Sequence, residues 1–137
     1  MKRYITAYLV VGLVFLAVDA VWLSLMADRL YRPLLGPLLA PEFKLMPAVL
    51  FYLIYVAGTV FFAVVPAFAT NRVGTAELRG ALFGFCAYST YDLTNHATLA
   101  GWPAIVSVAD IVWGSTLTAL SATVGFLVAR RVAPARP

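Results

Sequence analysis

The chain has 137 residues, 63% of them hydrophobic and only 12% charged, with a net charge of +4 and a pI near 9.5. A soluble domain of this length coats itself with more charge, so the composition excludes an ordinary soluble fold and predicts one membrane domain over residues 1–137. The basic residues flank apolar runs and form no stripe interleaved with aromatics, so they read as orientation signals and not as a nucleic-acid surface.

Lys2 and Arg3 precede an apolar run, as they would in a secretory signal. The run over about 4–26 is long enough to span, however, and contains Asp19 and Trp22 with no small-x-small site after it. It is expected to be a retained first helix. Tyr8, Gly12, Phe15, Asp19, Trp22 and Met26 recur at spacings of four and three, which places them on one face. The segment 28–46 is too polar and Pro-rich to span. Arg29, Arg32, Pro33, Pro37, Glu42 and Lys44 alternate with leucines, which predicts an amphipathic segment in the membrane interface.

A second span is predicted over about 47–68, with Phe51, Tyr52 and Tyr55 near its start. Asn71, Arg72 and Gly74 make a polar turn into a third span over about 76–99. There Ala76, Gly80, Gly84, Tyr88, Asp92 and His96 follow one another every four residues, with Asn95 beside them. The small residues permit a close helix contact and the polar ones hold the other end apart, so a wedge-shaped cavity is expected. Cys86, the single cysteine, lies in this run and reads as a small hydrophobe. Gly101 and Pro103 break the chain before a fourth span over about 102–128, and the basic tail 130–137 is expected to fray. The fold class is therefore an all-α membrane protein: four transmembrane helices in an antiparallel bundle, with an interfacial segment between helices one and two.

With the N-terminus inside, Lys2, Arg3, Arg72, Arg79, Arg130, Arg131 and Arg136 face the cytoplasm, against Arg29, Arg32 and Lys44 outside. The positive-inside rule then puts both termini in the cytoplasm of a cell inner membrane. Tyr4, Tyr31 and Trp102 are read as interface anchors.

Asp19, Asp92 and Asp110 fall inside predicted spans, where each costs about 2.5–3.5 kcal/mol at a helix centre. All three lie in the outer half of the bilayer, as do Tyr52 and Tyr55, which suggests one site. Asp92, His96, Asp110 and Asp19 are candidate proton carriers. Tyr52, Tyr55, Tyr88, Tyr91, Asn95, Trp22 and Trp113 are candidate ligand-binding groups. The competing reading is structural: Trp22 follows Asp19 by three residues and Trp113 follows Asp110 by three, so both pairs can be hydrogen-bonded glue. Carboxylate and imidazole ligand types are present, but no ligand motif is, and no metal is expected; the residues identify no cofactor. Nothing marks Ser89 or Ser107 as a nucleophile, and no phosphate loop or dinucleotide motif is present.

The word Asp19-Ala-Val-Trp22-Leu-Ser24 echoes Asp110-Ile-Val-Trp113-Gly-Ser115. Phe51-Tyr52 in helix two, Tyr91-Asp92-Leu93-Thr94-Asn95 in helix three and Asp110-x-x-Trp113 in helix four together resemble a bacterial domain-of-unknown-function family of four-helix membrane proteins. The resemblance covers nearly the whole chain and implies no established activity. Three functions fit these features. One is a pocket open to the outer leaflet that binds or modifies a lipid or other apolar small molecule. Another is a proton- or ion-coupled transporter or channel subunit, which four short helices would require to be a homo-oligomer. The third is a non-catalytic assembly factor. Whether the chain is an enzyme is not decided by its residues.

Overall fold

The computed structural model describes residues 1–133 and is almost wholly helical. Four long helical runs carry the chain: α1 (Lys2–Leu38), α2 (Leu45–Thr70), α3 (Val73–Thr98) and α4 (Ala104–Val132). Three of them, α1, α2 and α4, are long and apolar enough to cross a membrane. The 26 residues of α3 give a length of about 39 Å, ample to span, but the polar stretch from Ser89 to His96 lowers its apolarity. Residues 134–137, including Arg136 and half of the tail expected to fray, lie outside the described residues; the part of that tail up to Val132 continues α4 as helix.

Helix one was expected to stop near Met26. It continues instead through a π-helical turn at Ala27–Tyr31, a short α segment at Arg32–Leu35 and a 3₁₀ turn at Gly36–Leu38. The segment 28–46 is thus helical for most of its length, and only residues 39–44 leave the helix. A second π turn, Val60–Val64, interrupts α2. Each π turn ends two residues before a proline, Pro33 in one case and Pro66 in the other. A proline has no N–H and its ring crowds the carbonyl four residues back. Widening the preceding turn relieves that crowding without ending the helix.

Asn71 takes a left-handed conformation (φ 53°) and closes α2, and Gly101 (φ 76°) turns the chain between α3 and α4. These short links make consecutive helices pack with opposite sense. Along α3, Gly80 lies against Ala119 and Ala122, Gly84 against Gly114 and Thr118, and Tyr88 against Gly114. Along α1, Val11 meets Gly125 near one end, and Trp22 meets Trp113 near the other. α4 is therefore the central helix, gripped by α1 and α3. Gly114, Leu117, Thr118, Ser121, Ala122 and Gly125 are all buried within it. α2 packs on α1 through Phe15 with Tyr52 and Tyr55. Its backbone runs close to α3 along Val60–Thr70 and diverges along Leu45–Thr59.

Three buried hydroxyls bond the backbone of their own helix. Thr59 donates to Tyr55 O, Thr118 to Gly114 O and Ser121 to Leu117 O, each one turn back. No water is needed to solvate them, as a hydrocarbon surrounding requires. The outward faces carry large exposed side chains, including Leu13, Ile54, Phe61, Leu78 and Val112. Apolar surface on that scale marks contact with lipid or protein.

Candidate functional site

The polar side chains gather at the end of the bundle where α1 and α3 finish and α4 begins. Asp19 is buried in α1. Its Oδ2 accepts from Tyr52 Oη of α2 at 2.9 Å, and its Oδ1 from Trp113 Nε1 of α4 at 3.1 Å. Asp110, buried in α4, accepts at Oδ1 from Tyr31 Oη at 2.5 Å, and Tyr31 Oη in turn accepts from Trp22 Nε1 at 2.9 Å. The indoles of Trp22 and Trp113 stack between the two clusters, with centroids 4.3 Å apart and planes 10° from parallel.

The expected Asp/Trp glue thus forms crosswise. Residues three apart share a helix face, so each Asp and its Trp both point at the opposing helix. The indole of α4 bonds the carboxylate of α1. The indole of α1 reaches the carboxylate of α4 through Tyr31. The π turn carries Tyr31 inward, and Tyr31, read as an interface anchor, is instead half-buried between two helices. Trp102, also read as an anchor, is buried and donates through Nε1 to Ser107 Oγ at 3.0 Å. Leu30, Tyr31 and Leu35 pack on Trp102 and Val106, so the end of α1 caps the start of α4.

Asp92 differs from the other two carboxylates. It has no exposed surface, and neither carboxylate oxygen has a hydrogen-bond partner. It continues the Gly80, Gly84, Tyr88 face by one turn, so it lies against the start of α4, in the direction of Asp110. Ser89 Oγ, three residues earlier on the same side of the helix, is also buried without a partner. Each unsatisfied buried polar group costs about 1–3 kcal/mol.

A cleft of about 400 Å³ opens between the diverging part of α2 and α3, and neither Asp92 nor Ser89 is in its lining. Phe51, Tyr55, Ala87, Tyr88 and Tyr91 line it. Tyr88 links cleft and interface: its ring lies on Gly114 and meets the Tyr55 ring edge-on at 6.2 Å. The opening lies between α2 and α3 and is not the wedge expected on the glycine face of α3, which stays closed against α4 as far as the buried Asp92.

The family model that matches this chain is described as a predicted membrane protein (DUF2177) and aligns with residues 4–127, from the start of α1 almost to the end of α4. The chain belongs to the DUF2177 family. No curated protein and no solved structure matches it.

In this DUF2177 chain the candidate residues divide into three groups. Asp19, Tyr52 and Trp113 form one hydrogen-bonded cluster and Asp110, Tyr31 and Trp22 another, and the stacked indoles join the two. Tyr55, Tyr88 and Tyr91 line the cleft, and Tyr55 Oη also shares a 2.8 Å hydrogen bond with Thr118 Oγ1. His96 is exposed and makes no hydrogen bond to Asp92, while Asn95 is half-buried. Among the described residues no three of His, Cys, Asp and Glu cluster as a metal ion would need. Sequence reasoning missed Tyr31 and Thr118. Pro33, two residues past the π turn, was the available signal for Tyr31. Thr118 has no such signal, because its partner is on another helix.

Proposed function

We propose that the chain is a four-span protein of the bacterial inner membrane, with both termini in the cytoplasm, that binds or modifies a lipid or other apolar small molecule. The cleft between α2 and α3 would open to the outer leaflet, and the segment capping α4 would lie in the interface as its rim. The observation that carries this reading is Asp92, a fully buried carboxyl with both oxygens unpartnered, one turn from the Tyr88 that lines the cleft. A group kept buried and unsatisfied inside a membrane protein is a functional candidate before a structural one.

The division of labour follows from the bonding. Asp19 has donors from α2 and α4, Asp110 has one from the end of α1, and both act as fixed supports. Asp92 is free to hold or pass a proton, or to accept a hydrogen bond from the polar end of a ligand, with Ser89 beside it. Tyr55, Tyr88 and Tyr91 would cover the apolar part. Aromatic walls with a few converging polar groups are the usual make-up of a small-molecule pocket.

The test is to purify the protein from membranes, identify co-purifying small molecules by mass spectrometry, and repeat with Asp92→Asn. The expected outcome is a ligand bound by the wild type and lost from a variant that melts no lower. Asn keeps the shape and discards the negative charge. A variant that unfolds, or one that retains the ligand, overturns the assignment. The pairing of both Asp19 oxygens and of Asp110 Oδ1 within the bundle favours a second reading, a non-catalytic assembly factor. That reading gains if no ligand is found.

A further inference from the structure

A second groove runs between α1 and α2 and shares no lining residue with the cleft between α2 and α3. Two adjoining clefts of about 470 and 420 Å³ share Tyr8 and Leu9 as lining. Together they extend from Tyr4 at the start of α1 to Leu16. The twelve steps from Tyr4 to Leu16 rise about 18 Å, close to the ~15 Å hydrocarbon depth of one leaflet. Gly12 lies at the base of the groove, where an added Cβ would make ordinary contact with Val56 at 3.7 Å.

The mouth of this groove is cationic. Arg3 stacks over the rings of Tyr4 and Phe68, 5.0 and 4.8 Å from their centroids, and donates to Tyr4 Oη at 3.0 Å. Phe68 in turn lies 5.4 Å from Phe126, and Arg130 stacks on Phe126 at 5.0 Å. Among the described residues the only ion pair is Arg32–Asp28, in the segment that caps α4. Arg3, Arg130 and Lys2 therefore have no carboxylate partner there. Stacking occupies the face of a guanidinium and leaves N–H edges for a planar, bidentate acceptor. The rings also fix Arg3 in place before any ligand arrives, which lowers the entropic cost of binding.

We infer that this groove binds one anionic phospholipid, its phosphate on Arg3 at the membrane surface and one acyl chain lying along Tyr8 and Leu9. The groove supplies apolar surface of leaflet depth, and the unpaired cations at its mouth select the charge of the headgroup. A basic residue near a membrane surface contributes about 1 kcal/mol toward an anionic lipid, which is about fivefold in affinity.

Native mass spectrometry of the full chain in mixed phosphatidylglycerol and phosphatidylcholine micelles tests this. The wild type is expected to retain one phosphatidylglycerol in preference to phosphatidylcholine. Arg3→Gln should lower that retention about fivefold and abolish the preference, while Arg3→Lys should keep part of it. Leu9→Trp, which fills the point shared by both clefts, should reduce retention of either lipid. Equal retention of the two lipids by the wild type overturns the inference, as does an Arg3→Gln variant indistinguishable from it. So does a dimer that crosslinks through Leu9→Cys, because a second copy would then occupy the face. Arg3→Gln should leave any small molecule that co-purifies in the cleft between α2 and α3 in place, which separates this groove from that cleft.

Discussion

Gly84 offers a sharp test of the packing between α3 and α4. A methyl group placed on it would overlap Gly114 O and lie 2.7 Å from Thr118 Oγ1 and 2.9 Å from Thr118 Cβ. Gly114 O is backbone and cannot yield cheaply. Thr118 Oγ1 is held as well, since it donates to Gly114 O at 2.5 Å and shares a hydrogen bond with Tyr55 Oη at 2.8 Å. Overpacking of this kind costs about 1–3 kcal/mol, and a displaced hydrogen bond about 0.5–1.5 kcal/mol more. Ala is favoured over Gly inside a helix by about 1 kcal/mol. The net expectation for Gly84→Ala is a loss of about 1–3 kcal/mol, read as a fall of several degrees in the detergent melting temperature. Gly74→Ala is the matched control, because nothing lies within 4 Å of its added methyl. It should leave the melting temperature unchanged or raise it. If Gly84→Ala is as stable as Gly74→Ala, the close approach of α3 to α4 is wrong.

Tyr31→Phe removes one hydroxyl and strands two partners, Asp110 Oδ1 and Trp22 Nε1, at about 1–3 kcal/mol each. Hydrogen exchange over Ala27–Leu38 should accelerate; unchanged protection would show that the hydroxyl does not hold the cap. Trp113→Phe keeps a ring for stacking and deletes only the bond to Asp19, whose other oxygen still has Tyr52. A loss of about 0.5–1.5 kcal/mol in unfolding free energy is expected, and a loss above ~3 kcal/mol would mean that the indole does more than donate. Single cysteines placed at Lys2 and Arg131, in a chain with Cys86 replaced by Ala, should be labelled only from the cytoplasmic side. Labelling of either from outside reverses the orientation drawn from the basic residues.

Much of the fold was legible because a membrane span has a strong signature. Apolar runs near 20 residues located the four helices, and Asn71 and Gly101 sat where turns were expected. The four-residue repeat of Gly80, Gly84 and Tyr88 likewise marked the face that packs on α4. Other features depended on relations the chain does not display locally. The extension of α1 to Leu38 was hidden because Pro33 and Pro37 read as helix breakers, whereas a π turn absorbs the first and a 3₁₀ turn holds the second. The crossing of the Asp/Trp pairs required knowing which helix faces which. Both residues of each pair share a face, so sequence spacing makes local pairing look natural when the true partner is on the opposing helix. His96 and Asp92 share spacing too, yet one is exposed and the other sealed, because the helix end carries His96 beyond its neighbours.

The crossed bonds also bear on the order of assembly. Leucine faces bathed in lipid tails discriminate poorly between alignments, since a helix that slides exchanges one greasy contact for another. Donors reaching across in opposite directions do discriminate: a shift of one turn, about 5.4 Å, breaks both links at once. Yet the partners are made far apart in time. Asp19 is synthesised in the first helix and receives Tyr52 from the second, but Trp113 arrives only with the last. Until then the early hairpin holds a half-satisfied carboxylate in the bilayer and has no fixed alignment against the rest. The final helix to leave the ribosome is the one that sets where the first one rests.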